Sequence, residues 1–212
     1  MVGANSPSSL ASRPIRILLA DEIDRYPATA GNEGDPLLLA GKRLATFWNK
    51  KEVCVSTPTN KETSRIAVEF EHSTQEEWNV PCPACGAFTP LLWANIVFDR
   101  DKLDEIGCTC PACGVVSSET EWKEQYINGK FVAAHPERKV RGFHLNALAS
   151  LFVDWREIVE KFLTANEEKK KGNIELLKVW TNTEMGETWE EDGEQIETDD
   201  LYKRREKYNC EV

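Results

Sequence analysis

Two copies of one short cysteine motif constrain this chain more than any other feature of its sequence. Residues 81–86 read Pro-Cys-Pro-Ala-Cys-Gly, and residues 109–114 read Thr-Cys-Pro-Ala-Cys-Gly. Two residues between cysteines let both thiolates reach one ion, and the glycine permits the left-handed turn that closes each knuckle. The spacing therefore predicts a four-cysteine site for Zn²⁺. Its expected ligands are Cys82, Cys85, Cys110 and Cys113.

Four thiolates complete a tetrahedron and leave no position for a substrate water, so we expect the zinc to be structural. Cys108 could replace Cys110 as a ligand, but only Cys110 repeats the Cys-Pro-Ala-Cys-Gly pattern. A redox-active pair is the weaker interpretation, because no βαβ pattern surrounds the motif. The chain has seven cysteines, and its N-terminus resembles no signal peptide, which favours metal binding over disulfides.

A second feature is an apolar run that ends in two acids. Residues 17–20 are Ile-Leu-Leu-Ala, and Asp21 and Glu22 follow. Such a run is typical of a strand buried on both faces of a parallel sheet, where ligands bind at the carboxyl ends of strands. Asp21 could then hold Mg²⁺ beside a nucleotide, and Glu22 could polarise the attacking water. The alternative is a strand that simply ends in acids at a turn.

Residues 52–59 predict a second short strand, which ends in hydroxyls and a proline and includes Ser56 and Thr57. The helix predicted between the strands begins with Asp35 as N-cap, so a strand–helix–strand unit would place both hydroxyls beside the acids. There they could sense a γ-phosphate, although a turn cap explains them as well. Arg65 could face a phosphate or be an ordinary surface residue.

Composition excludes several classes of protein. No apolar run approaches the roughly 20 residues of a membrane span, so we expect no membrane partner. The chain has 26 Lys and Arg against 36 Asp and Glu, a net charge of −10 that argues against coating DNA through bulk charge. The sequence contains no G-x-x-x-x-G-K-[ST] motif, so it lacks a recognisable phosphate-binding loop.

The C-terminal third predicts helices and then an acidic linker. Asp154 is expected to cap a helix in a capping box with Glu157, and apolar residues at helical spacing follow over 155–163. His144 has no ligand-spaced partner, so a structural role is expected. Residues 186–200 are acidic and typical of an extended linker.

In this order along the chain, the motifs resemble the lambda-type large terminase (GpA) family of tailed phages. The resemblance covers nearly the whole chain. It is carried by Gly3–Leu10, Asp21–Pro27, Ser56–Thr59, the two cysteine knuckles, Gly142–Leu148 and Asn182–Trp189.

The resemblance implies roles for these residues. Asp21 and Glu22 would be the Walker B pair of an ATPase, with Asp21 on Mg²⁺ and Glu22 as catalytic base for ATP hydrolysis. Ser56 and Thr57 would belong to the coupling motif that links hydrolysis to DNA movement. The family cuts concatemeric double-stranded DNA and pumps it into procapsids in the host cytoplasm. The implied partners are that DNA, a small terminase subunit and the portal of the procapsid, on which the subunits form an oligomeric ring.

The predicted fold is α/β: a partial P-loop NTPase parallel sheet with an inserted four-cysteine zinc ribbon and a C-terminal helical and linker segment. Residues 1–72 are expected to be the C-terminal half of the ATPase domain, and residues 73–130 the ribbon. Residues 131–185 would be the helical remainder of the ATPase region, and residues 186–212 the linker. By the resemblance, Walker A lies upstream and the nuclease domain downstream. We therefore expect a fragment that is inactive alone.

A non-enzymatic alternative also fits the sequence. In it, the chain is a zinc-ribbon module that binds DNA or a partner protein, and the acidic strand is only structural. This alternative predicts that Asp21 pairs with a lysine or arginine, whereas the ATPase interpretation predicts acids and hydroxyls gathered at one sheet edge.

Overall fold

The computed structural model describes residues 2–190 apart from residues 7, 9 and 11, so that residues 191–212 of the predicted linker lie outside it. Its α-helices are α1 (Pro36–Gly41), α2 (Arg65–Glu71), α3 (Glu119–Glu124), α4 (Trp155–Lys170) and α5 (Glu175–Trp180). Its strands are β1 (Ile17–Asp21), β2 (Lys51–Val55), β3 (Glu76–Pro81), β4 (Phe88–Pro90), β5 (Ile96–Asp99), β6 (Lys102–Thr109), β7 (Val116–Ser118), β8 (Lys130–Ala133) and β9 (Phe143–His144). None of the described helices has both the length and the apolarity to cross a bilayer.

Strands β1 and β2 form a parallel pair, which confirms the predicted pairing. Asp21, the last residue of β1, lies opposite Val55, the last residue of β2. The chain passes between them through α1, which begins where Asp35 Oδ1 accepts the N–H groups of Leu37 and Leu38 at 2.8 and 3.1 Å. Because both strands run the same way, their carboxyl ends meet at one edge.

The prediction that β1 is buried on both faces is wrong. One face of the β1–β2 pair is exposed, and Leu19 shows 73% of its surface. The exposed apolar side chains of this face are Ile17, Leu19, Val53 and Val55. The physical reason is that only two described strands pair in this sheet, and α1 contacts it from the side of the buried Ala20. The described residues thus form a mixed α/β structure, but they do not form a multi-stranded P-loop sheet.

Two further sheets carry the cysteine motifs. Strand β3 pairs antiparallel with β4 and β8 and parallel with β9. Strands β5, β6 and β7 form an antiparallel sheet in that order. The first knuckle joins β3 to β4, and the second joins β6 to β7, so each motif occupies a tight turn between paired strands.

The main core lies between these sheets and the C-terminal helices. The amphipathic face predicted for α4 is confirmed, because Trp155, Ile158 and Val159 are fully buried. Three rings from separate segments meet beside it, with centroids 4.6–4.9 Å apart: Trp93, Phe162 and Trp180. Aromatic side chains bury the largest areas of any residue, so this cluster joins the ribbon firmly to α4 and α5.

Helix α4 begins after Asp154 as predicted, but the predicted capping box with Glu157 does not form, since Asp154 makes no side-chain cap hydrogen bond. The N–H of Trp155 instead donates to Glu119 Oε1 at 2.9 Å. The same oxygen is 2.6 Å from the ammonium group of Lys123. The cap of α4 therefore comes from the Glu119 carboxylate of α3, whereas the sequence predicted it from Asp154 and Glu157.

Candidate functional site

The two knuckles are nearly identical in backbone structure. In the first, the N–H of Gly86 donates to the carbonyl of Cys82 at 2.8 Å, and in the second the N–H of Gly114 donates to the carbonyl of Cys110 at 2.8 Å. Gly86 and Gly114 have φ values of +73° and +74°. Side chains other than glycine rarely adopt this conformation, so the glycine after each second cysteine is required by the turn.

The four predicted ligands come together at the junction of the knuckles. The Sγ atoms of Cys82, Cys85, Cys110 and Cys113 all lie within 4.8 Å of one another. Two of these pairs, Cys82–Cys113 and Cys85–Cys110, are 3.9 Å apart. A tetrahedral ion with Zn–S bonds of about 2.3 Å separates its sulfur ligands by about 3.8 Å. The donor set and its spacing therefore fit a zinc ion.

The electrostatics of the cluster show how its thiols would ionise. Burial raises the pKa of the Cys82 thiol. Burial also acts to raise the pKa of Cys110, but hydrogen bonds from the backbone of Cys113 and Ala112 outweigh it and lower that pKa to about 7. Cys110 is therefore the thiol that is ready to lose its proton near neutral pH, as a metal ligand must.

Cys108 does not belong to this group. Its side chain is buried, and its Sγ lies 3.8 Å from the carbonyl oxygen of Thr109. Burial raises the pKa of Cys108 to about 12, and its own carbonyl accepts the indole N–H of Trp122 at 3.2 Å. Cys108 thus has the surroundings of a small core residue outside the group of four thiols, and Cys110 stays the predicted ligand.

The acidic end of β1 forms the second candidate site. Glu22 has φ 54° and ψ 46°, a left-handed conformation that is strained for any residue other than glycine. Its carboxylate accepts the Nε–H of Arg25 at 3.1 Å. Asp21 is exposed. In the described part of the chain Asp21 forms no ion pair with a lysine or arginine, although the non-enzymatic alternative requires one.

The Ser-Thr-Pro turn after β2 lies beside this strand end. Ser56 Oγ accepts the backbone N–H of Asp24 at 3.1 Å and donates to the carbonyl of Thr57 at 3.1 Å. The structure therefore brings the turn against the residues that follow Glu22, and the direct contact is with Asp24.

Sequence reasoning overlooked Asp24. Its carboxylate accepts three hydrogen bonds: from the N–H and the hydroxyl of Thr59, both at 3.1 Å, and from the N–H of Ile66 at 2.8 Å. The only local signal was a third acid within Asp-Glu-Ile-Asp, since its partners lie 35 and 42 residues away.

Arg65, considered above as a phosphate contact, is already engaged. Its Nη1 lies 2.7 Å from Asp35 Oδ2, and its Nη2 donates to the carbonyl of Pro27 at 3.2 Å. This arginine ties the start of α2 to the cap of α1 and to the loop after the acids, so its observed role is structural.

The sequence of the chain is similar to known phage proteins. A family model described as the phage terminase large subunit gpA, ATPase domain, matches residues 1–131. A second, the terminase large subunit gpA, endonuclease domain, matches residues 140–212. The large terminase subunits of Enterobacteria phage P21 and Escherichia phage lambda are each 24% identical to the chain, over 237 and 238 residues. These alignments cover 100% of this chain and 36% of each relative. No solved structure matches the chain.

The endonuclease match begins at residue 140, whereas the sequence-based division assigned residues 131–185 to the ATPase region and expected a nuclease domain only after residue 212. The domain boundaries stay predictions. The ATPase-domain match covers more than half of the chain. With the order of its motifs and its two lambda-type relatives, this match shows that the chain belongs to the phage terminase large subunit gpA family, whose ATPase and endonuclease domains serve phage DNA packaging.

Proposed function

We propose that this chain contributes the Walker B end and the coupling turn of a motor that uses ATP to move concatemeric double-stranded DNA into procapsids and to cut it. One observation carries the proposal. The parallel register of β1 and β2 and the hydrogen bond from Asp24 to Ser56 hold the acidic strand end against the Ser-Thr-Pro turn. Carboxyl ends of parallel strands are where nucleotides bind in α/β proteins.

Each residue has a role in this proposal. Asp21, exposed at the strand end, would hold Mg²⁺, and Glu22 would accept a proton from the attacking water. Ser56 and Thr57 would respond to the γ-phosphate through their hydroxyls. When bound, ATP and Mg²⁺ supply the phosphoryl group and the charge neutralisation that the reaction needs.

The cysteine cluster would hold a structural Zn²⁺. Its ligands come from two turns in two different sheets, so an ion there would fix the β3–β4 turn to the β6–β7 turn. A metal that closes a long loop in this way contributes directly to folding free energy.

The partners follow from the family. We propose double-stranded DNA, a small terminase subunit and the portal of the procapsid in the host cytoplasm, with the large subunits in a ring on the portal. The chain spans 36% of the length of its two relatives, so these roles belong to the whole terminase in which such a segment works.

A chimera tests the proposed ATPase role. The matching segment of the phage lambda large terminase subunit is replaced by this chain, and ATP hydrolysis and DNA packaging are measured in vitro. We expect activity in the chimera and a loss of about a thousandfold in turnover with Glu22→Gln, because the catalytic base is removed. Glu33→Gln, an exposed acid in the following loop, is the matched control. Equal activity of the Glu22→Gln and Glu33→Gln chimeras would refute the assignment.

A further inference from the structure

Asp24 joins three segments that are distant in the chain. One oxygen of its carboxylate accepts both the N–H and the hydroxyl of Thr59, and the other accepts the N–H of Ile66 in the first turn of α2. Its own N–H donates to Ser56 Oγ. Hydrogen bonds to a carboxylate are shorter and stronger than those between neutral groups. Through its side chain and its own N–H, Asp24 thus connects the turn after β1 (the proposed Walker B turn, residues 21–24) to two other segments. These are the Ser-Thr-Pro turn (the proposed coupling turn, residues 56–59) and the start of α2.

Thr59 continues this connection on its other side. Its carbonyl accepts the Nδ2–H of Asn182 at 2.9 Å and the backbone N–H of Trp189 at 3.0 Å. Asn182 is 8% exposed, and its amide also donates to the carbonyl of Glu187 at 2.9 Å. Residues 181–190 fall within the range that the endonuclease-domain model matches.

Thr59 therefore lies in the range that the ATPase-domain model matches and contacts residues in the range that the endonuclease-domain model matches. Its N–H and hydroxyl donate to Asp24, and its carbonyl accepts from Asn182 and Trp189, so one residue connects the acidic turn to the C-terminal segment. The contact continues to Lys61, whose N–H donates to the carbonyl of Trp189 at 3.0 Å. Contiguous hydrogen bonds between elements are one physical means of coupling two sites, and these contacts form such a contiguous set.

We infer that the hydrogen-bond series Asp24–Thr59–Asn182 couples the position of the Walker B turn to the segment 181–190, with Asp24 and Thr59 as positioning residues. The biological role of this coupling rests on the proposed function. In the motor, the hydrogen-bond series would make the part of the chain that matches the endonuclease model respond to whether ATP is bound. The coupling itself is a property of this chain without nucleotide, so it can be measured separately.

Backbone hydrogen exchange, measured by NMR on the 212-residue chain without nucleotide, tests the link. Thr59→Val removes the hydroxyl and keeps the shape, whereas Thr59→Ser keeps the hydroxyl and is the matched control. We expect Thr59→Val and Asp24→Asn to speed exchange of the Trp189 N–H about tenfold, the effect of losing a hydrogen bond to a charged group. Thr59→Ser should stay within about twofold of the unsubstituted chain.

The reciprocal substitution makes the test symmetrical, because coupling between two sites acts equally in both directions. Asn182→Asp places an acceptor against two carbonyls, and we expect it to speed exchange of the Ile66 N–H, whose bond to Asp24 is the third in the series from Asn182. The indole N–H of Trp122, which donates to Cys108 in the core, should keep its rate in every variant.

Two results would overturn the inference. In the first, Asp24→Asn and Thr59→Val accelerate only the N–H groups of Thr59 and Ile66, and Trp189 keeps its rate. In the second, the Trp122 indole accelerates as much as Trp189, which would reveal a general loss of stability. Since the samples contain no nucleotide, an inactive chimera would contradict the proposed ATPase role and leave this result unchanged.

Discussion

Glu22 is held in a conformation that its side chain disfavours. Among the described residues other than glycine, it shares a positive φ only with Gln75. Its neighbours maintain the strain: the N–H of Arg25 donates to the carbonyl of Glu22 at 2.9 Å, and Ser56 holds Asp24. A left-handed residue other than glycine costs about 1–2 kcal/mol. Strain of this kind persists where surrounding contacts over-determine it, which is common at functional sites.

Releasing this strain should stabilise the chain. We expect Glu22→Gly to have a free energy of unfolding about 0.5–1 kcal/mol higher than Glu22→Ala, because both lose the exposed ion pair with Arg25 but only glycine accepts positive φ freely. Urea unfolding followed by tryptophan fluorescence gives the comparison. A Glu22→Ala variant as stable as Glu22→Gly would show that the left-handed turn is not strained.

Single cysteine substitutions distinguish the ligands from the core thiol. We expect protein purified without added metal to contain about one zinc per chain, Cys110→Ser to lose it, and Cys108→Ser to retain it. The reason is that Cys110 Sγ lies 3.9 Å from Cys85 Sγ, whereas Cys108 is absent from the cluster. Elemental analysis by mass spectrometry measures the content. Loss of metal in Cys108→Ser alone would reverse the ligand assignment.

At the scale of elements, helix α4 depends on a cap from another helix. The N–H of its first residue, Trp155, donates to Glu119 of α3, and Glu119 also pairs with Lys123, whose side chain is mostly buried. Without Glu119, the N–H of Trp155 loses its acceptor, whereas the Lys123 ammonium group keeps its hydrogen bond to the carbonyl of Val153 at 2.8 Å. Trp122 of α3 and Trp155 of α4 are both fully buried in the same core cluster.

This arrangement predicts unequal effects for two acids near the start of α4. Glu119→Ala should lower the free energy of unfolding by about 1–2 kcal/mol, because it leaves the Trp155 N–H without its acceptor and removes the carboxylate nearest to the Lys123 ammonium group. Glu157→Ala should change it by less than about 0.5 kcal/mol, since Glu157 forms only a surface ion pair with Lys161. Thermal or urea unfolding of the two variants and the unsubstituted chain measures these differences. A larger effect for Glu157 would favour the local capping box that the sequence predicted.

At the scale of the whole molecule, residues 59–61 meet the last described segment of the chain. Asn60 forms a parallel bridge with Trp189, next to the hydrogen bonds of Thr59. The cysteine cluster lies in the sequence between these two segments. The chain therefore returns to residues 59–61 after completing the ribbon and the helices, and the two ranges matched by the ATPase and endonuclease models share a contact there.

The 212-residue chain should not hydrolyse ATP alone. Its sequence contains no G-x-x-x-x-G-K-[ST] motif, and the amides and lysine of such a loop supply most phosphate recognition in P-loop enzymes. A coupled assay with Mg²⁺ and ATP should give the background rate for the unsubstituted chain and for Glu22→Gln. Magnesium-dependent hydrolysis that disappears in Glu22→Gln would contradict this expectation.

Features set by neighbouring residues could be predicted from the sequence. Two residues between cysteines and a following glycine specify each knuckle, and their repetition identified the four thiols that lie together. The parallel pairing of β1 with β2 and the buried face of α4 also followed from local pattern, because hydrophobic period and helix caps act over a few residues.

Only the tertiary structure decided which surfaces are covered and which distant groups satisfy each polar atom. The apolar run Ile17–Ala20 is typical of a strand buried on both faces. Leu19 is nevertheless exposed, because the described helices cover only one side of the β1–β2 pair. The donors to the Asp24 carboxylate lie 35 and 42 residues away in the chain. The N–H of Trp155, which donates to Glu119, lies 36 residues away from it. Local sequence encodes the capacity of a carboxylate to accept hydrogen bonds, but the folding of distant segments determines which donors reach it.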